Sequence, residues 1–96
     1  MKNETYNGWT NYETWLAYCW LTNDQETYNR LNRLTEAHKD KEAYQLADQI
    51  KEFVYDITSS SIELDQASLA NDLLNGAISE IDFQEIAEHE LEANSD

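Results

Sequence analysis

Ninety-six residues, 41% of them apolar and including three Trp and six Tyr, suffice for one domain with a real core, which excludes a disordered chain. Twenty Asp and Glu against six Lys and Arg leave a net charge of −14, which excludes direct binding to nucleic acid or to an anionic membrane, whose phosphates would repel it. A single cysteine excludes an internal disulfide and suits a reducing cytoplasm, and no apolar run approaches the ~18 residues that span a bilayer.

The chain begins with a polar stretch, residues 1–5, without the apolar segment a secretion signal needs; it is expected to fray, as are residues 93–96. With no proline, and only Gly8 and Gly76 as glycines, little interrupts helical periodicity. The spacing predicts a first helix over 12–21, with Asn11 as N-cap and Tyr12, Trp15, Leu16, Cys19 and Trp20 on one face. Asn23-Asp24 closes it and caps a second helix over 25–37, with Tyr28, Leu31 and Leu34 inward and Glu26 four residues before Arg30, the favourable order for an ion pair. The third, over 41–57, is the clearest: Ala43, Leu46, Ala47, Ile50, Phe53, Val54 and Ile57 share one arc. Thr58-Ser59-Ser60-Ser61 then reads as a loop. A fourth helix is expected over 65–75, with Leu69, Ala70, Leu73 and Leu74 inward and Gly76 as its C-terminal cap, followed by a turn packed through Ile78 and Ile81. The fifth opens on Asp82 and Glu85, a D-x-x-E form of the capping box, with Ile81 placed to staple against Ile86 and with Phe83, Ile86, Ala87 and Leu91 inward. The expected fold is all-α, a single domain of about five short antiparallel helices.

Charge is distributed unevenly. Residues 1–51 hold eight acids and all six bases, whereas residues 52–96 hold twelve acids and no base. On the third helix Asp48, Glu52 and Asp56 recur at i, i+4 and i+8, opposite the apolar arc. Like charges at that spacing each cost an isolated helix about 0.2–0.5 kcal/mol, an expense the core face easily offsets. The row reads either as a solvated face or as an anionic row with carboxylates about 6 Å apart. DNA carries one charge per ~1.7 Å, so imitating it requires several elements to pool their charge. Glu85, Glu88 and Glu92 share the outer face of the fifth helix and are the natural second row.

Tyr6, Trp9, Tyr12, Trp15 and Tyr18 recur at every third residue. Stacking on bases would need a basic groove beside them, and this region has none, so they read as core, with Tyr6 and Trp9 lying over the helix as a lid; exposed, they would be interface anchors. Glu90 falls on the apolar side of the fifth helix. Either the helix frays before it, which is the expectation, or Glu90 is a partly buried acid needing a donor such as Arg30, Arg33, a Trp N–H or a Tyr hydroxyl. His89 and His38 make no H-E-x-x-H pattern, and neither a phosphate-binding loop nor a nucleophile motif is present, so no metal, cofactor or catalysis is expected.

Trp9-Thr10-Asn11-Tyr12-Glu13-Thr14-Trp15 with Trp20-Leu21-Thr22-Asn23-Asp24, and the segment from Asp72 to His89, resemble the two signatures of a widespread family of small proteins of unknown function. Its members occur in phages, plasmids and other mobile elements and in some cellular genomes. The resemblance covers about a third of the chain and carries no catalytic residues. It implies a gene setting, and in size, charge and origin the chain resembles the phage-encoded inhibitors of bacterial defence, some of which imitate DNA.

The function expected is therefore that of an anti-CRISPR or anti-restriction protein in the host cytoplasm. It would bind a basic nucleic-acid-handling protein through an acidic surface of Asp48, Glu52, Asp56, Glu85, Glu88 and Glu92. The rival is an accessory adaptor that binds through Tyr6, Trp9 and Tyr18, with charge serving only solubility.

Overall fold

Asn11 starts the first helix by a change of backbone direction: it is extended (φ −158°) and its side chain accepts the Thr14 N–H at 2.9 Å, satisfying a donor that the first turn leaves orphaned. From there a computed structural model, which describes residues 6–61 and 68–93, shows five helices and, among those residues, no strand. They are α1 (Tyr12–Asn23), α2 (Gln25–Ala37), α3 (Ala43–Ser61), α4 (Ser68–Ser79) and α5 (Phe83–Ala93).

One extended residue, Asp24, makes the corner between α1 and α2. It ends α1 and accepts the N–H groups of Glu26 (2.8 Å) and Thr27 (3.4 Å) as the N-cap of α2. The Thr27 hydroxyl turns back to the Leu21 carbonyl at 2.9 Å, so the same corner also satisfies an acceptor at the end of α1. On α2, Leu31 and Thr35 are wholly buried, and the Thr35 hydroxyl reaches its own helix at the Leu31 carbonyl (2.9 Å). Tyr28 is exposed rather than inward, and Arg30, four residues after Glu26, reaches Asp56 of α3 at 3.7 Å, its guanidinium lying 4.5 Å from the Phe53 ring centroid.

The apolar arc of α3 is the centre of the molecule. Leu46, Ala47, Ile50, Phe53 and Val54 are buried, and α3 packs most extensively on α5 through Phe83, Ile86 and Ala87. The expected loop at Thr58-Ser59-Ser60-Ser61 is instead the last turn of α3. Serine and threonine can bond to a carbonyl one turn back without leaving the helix, and Thr58 does so at Val54 (2.9 Å).

Two further expectations fail on α4. Gly76 does not cap it; the helix runs on to Ser79, because a glycine inside a helix costs only about 1 kcal/mol and no left-handed residue is needed there. Leu69 and Leu73 point outward, and the helix is anchored to the core through Ile78, with Leu74 half-buried beside it. The expected start of α4 at Asp65, and most of both chain ends, lie outside the described residues. Ala93 is the last residue of α5.

Candidate interaction surfaces

The signature strings are a structural clamp. Thr14 is wholly buried; its hydroxyl donates to the Asn11 Oδ1 at 2.6 Å and accepts the Asp82 N–H at 2.8 Å. Asn11 spends its amide on the Glu80 carbonyl (2.7 Å). Asp82 accepts the Glu85 N–H at 3.0 Å, which is one half of the capping box. The other half is replaced: with the Asp82 N–H held by Thr14, the Glu85 carboxylate is released to accept the Thr10 N–H at 3.0 Å. The starts of α1 and α5 are thereby tied by three long-range bonds.

In front of this clamp Tyr6-Asn7-Gly8-Trp9 forms a tight turn. The Tyr6 N–H meets the Trp9 carbonyl at 2.7 Å, the return bond is 2.8 Å, and Asn7 (φ 50°) and Gly8 (φ 90°) are both left-handed. Two positive φ values at the centre are the mark of a type I′ turn, for which Asn-Gly is the preferred pair. That dipeptide was the available signal for it. The turn folds Tyr6 onto Tyr12 and Trp15, with ring centroids 5.2 and 4.9 Å apart, and sets Trp9 against Tyr18 (4.7 Å) and His89 (5.0 Å). Tyr6 and Trp9 therefore do lie over α1.

Glu90 is buried, and α5 continues past it. Fraying is avoided because the Tyr18 hydroxyl donates to its carboxylate at 2.9 Å, giving a buried charge one of the donors it requires. Burial and, after it, the adjacent Glu90 carboxylate push the Tyr18 phenol well above its usual range, so it remains a neutral donor.

The six acidic candidates fall into two rows. Asp48, Glu52 and Asp56 are all exposed on α3, and Asp56 is paired with Arg30 across exposed surface. Glu88 and Glu92 are exposed on α5, and Glu88 accepts a bond from Gln84 at 3.0 Å. Glu85 is half-buried and holds Thr10. Because α3 and α5 meet through their apolar faces, each row lies on the side of its helix turned away from that interface. Asp48, Glu52 and Glu88 make no ion pair among the described residues; the pairs found there are Arg30–Asp56 and Lys39–Glu36.

On α1, Trp20 is the residue that helical spacing misplaced furthest. Expected in the core with Tyr12, it is 71% exposed, Tyr12 is exposed as well, and the buried line of α1 is Thr14 and Leu21 with Ala17 and Tyr18 between them. Among the described residues no group of three or more His, Cys, Asp or Glu could hold a metal ion, and no helix is long and apolar enough to cross a membrane.

These features define a small, acidic, all-α domain with two charged outer faces and a clamped aromatic end. The chain belongs to a family of unknown function, DUF7249, which matches it over residues 2–96. Neither a curated protein nor a solved structure matches it.

Proposed function

We propose that this protein is a non-catalytic inhibitor, carried by a phage or another mobile element. It binds a basic nucleic-acid-handling host protein, of the CRISPR-effector or restriction-enzyme class, and blocks its nucleic-acid site as a DNA mimic. The observation that supports this reading is the exposed carboxylate row of α3, where Asp48 and Glu52 form no ion pair among the described residues. The opposite face of α3 is the molecule's core, so the row is held on a rigid element and needs no ordering on binding. A chain at −14 is drawn toward a basic surface from beyond contact range, and a groove lined with Lys and Arg would gain most from it.

The two rows point away from the interface that α3 and α5 share. A flat partner would meet one row, and only an enclosing channel would meet both. The α3 row is the stronger half, since Glu85 is already engaged with Thr10. The adaptor reading through Tyr6, Trp9 and Tyr18 is weaker, because those rings pack on Tyr12, Trp15 and His89.

Immobilised protein offered a bacterial lysate, with elution along a salt gradient, tests the proposal. A nuclease or CRISPR effector should elute at moderate salt and be displaced by DNA. A triple variant, Asp48→Asn with Glu52→Gln and Asp56→Asn, should keep its helical circular dichroism and bind on the order of tenfold more weakly. Undiminished binding of that variant at low salt would remove the α3 row from the interface.

A further inference from the structure

An apolar groove of about 380 Å³, lined by none of the six acidic candidates, lies between α1, the last turns of α3, and α4 with the turn after it. Its α1 wall is Glu13, Leu16, Ala17, Trp20 and Leu21, spaced i, i+3, i+4, i+7 and i+8. That stripe is two helical turns long, about 12 Å. Leu74, Ala77 and Ile78 form a matching stripe on α4, with Ile81 beyond its end, and Val54 and Ile57 lie on the α3 side. Trp20 stands 71% exposed at the groove, and α4 adds Leu73, 65% exposed, one residue from the lining Leu74. Apolar side chains gathered at one open site mark a contact surface, whereas scattered ones do not.

The charge of the walls selects what fits. The α1 and α4 walls, residues 12–23 and 68–81, contain Glu13, Asp72 and Glu80 and no Lys or Arg. The base nearest in sequence, Lys51, precedes the first α3 lining residue, Val54, by three positions. A second copy of this chain would bring another −14 to the same place, so long-range repulsion opposes self-association. Two apolar stripes on either side of a trough offer what an amphipathic helix needs, which is read as anchors at i, i+3 or i+4, and i+7.

We propose that this groove is a docking site for a basic amphipathic helix of a partner protein, with Trp20 as the central anchor. The helix lays its apolar face between α1 and α4, and its flanking Lys and Arg face Glu13 and Glu80. Trp is the residue most enriched among anchors that dominate binding energy. The site is independent of the acidic row on α3, and either can fail without the other.

The test uses a fluorescently labelled helical peptide of about 16 residues, with Leu at i, i+3, i+4 and i+7 and Lys on its flanks. Its controls are a scrambled peptide of the same composition and a version with Glu in place of Lys. Anisotropy should show saturable binding of the basic amphipathic peptide alone. Trp20→Ala and Ala77→Gln, both at exposed positions, should each weaken it by about tenfold, with circular dichroism unchanged. The proposal is overturned by equal binding of the scrambled peptide, by variants that bind like the parent, or by no saturable binding of the basic peptide. It is also overturned if Asp48→Asn/Glu52→Gln abolishes binding while Trp20→Ala does not, since the affinity then belongs to the α3 row. Sedimentation that reveals a dimer dissociated by Trp20→Ala would assign the groove to a second copy instead.

Discussion

Thr14 shows how a residue that looks ordinary in sequence acquires its importance in three dimensions. Its neighbour Asn11 was legible as an N-cap, because that role depends on residues within one turn. The burial of Thr14 was not, since its partner, the Asp82 N–H, is 68 residues away. Thr14→Val keeps the shape and removes the hydroxyl, leaving the Asp82 N–H without its partner. A loss of about 1–3 kcal/mol is expected, with Thr14→Ser losing much less, and urea unfolding of the pair decides it. Glu90 was legible as an anomaly for the complementary reason: an acid on an apolar stripe is visible in the sequence, while its donor, Tyr18, is 72 residues away. Tyr18→Phe should destabilise by a similar amount. The Tyr18 phenol is raised in the folded state above its ordinary 10.0, so the unfolded chain gives up that proton first. Its stabilisation is complete below pH 10 and is lost as pH rises beyond it. The parent should therefore lose stability above that pH more steeply than Tyr18→Phe; parallel profiles would remove the hydroxyl from the account.

At the scale of elements, legibility followed how one-sided each helix is. The arc of α3 was plain because its apolar residues occupy one side and its charges the other, and the burial of Leu46, Ile50 and Phe53 follows that division. In α1 apolar and aromatic residues lie all around the axis, so periodicity cannot say which are inward. The choice was made by Asn11 and Thr14 fixing the helix on α5, which turned Leu21 in and left Trp20 out. Where small polar residues or a glycine suggest a stop, the helices run on, as α3 does to Ser61 and α4 past Gly76 to Ser79. Gly76 tests this directly. It lies inside α4 without a positive φ, and a Cβ placed on it would meet nothing within 4 Å. Gly76→Ala should therefore raise stability by roughly 0.5–1 kcal/mol, through the smaller conformational freedom of the unfolded chain. A helix cap at that position would demand the opposite sign, so a fall in the urea midpoint would contradict the course of α4 described above.

For the whole molecule the governing quantity is charge. The spacing of Asp48, Glu52 and Asp56 foretold that they would share an outer face, but not that Arg30 would cross from α2 to Asp56, nor that Glu85 would be recruited to Thr10. The described ion pairs engage two of the bases, against a net −14 on a body of 45 × 36 × 23 Å. At 0.01 M salt the screening length is about 30 Å, so charges across the whole body repel one another; at 1 M it is about 3 Å, and only neighbours interact. Self-repulsion weakens the compact state more than the expanded one. The melting temperature should therefore rise as NaCl is added, whereas a domain governed by its few ion pairs would lose stability under the same screening. Asp48→Asn/Glu52→Gln should start from a higher melting temperature at low salt, since it removes like charges one turn apart, each such pair costing about 0.2–0.5 kcal/mol. Its dependence on salt should be shallower than the parent's. Convergence of the two at high salt would locate the α3 row as a site of stored repulsion, and parallel curves would mean that the row is too well solvated to contribute.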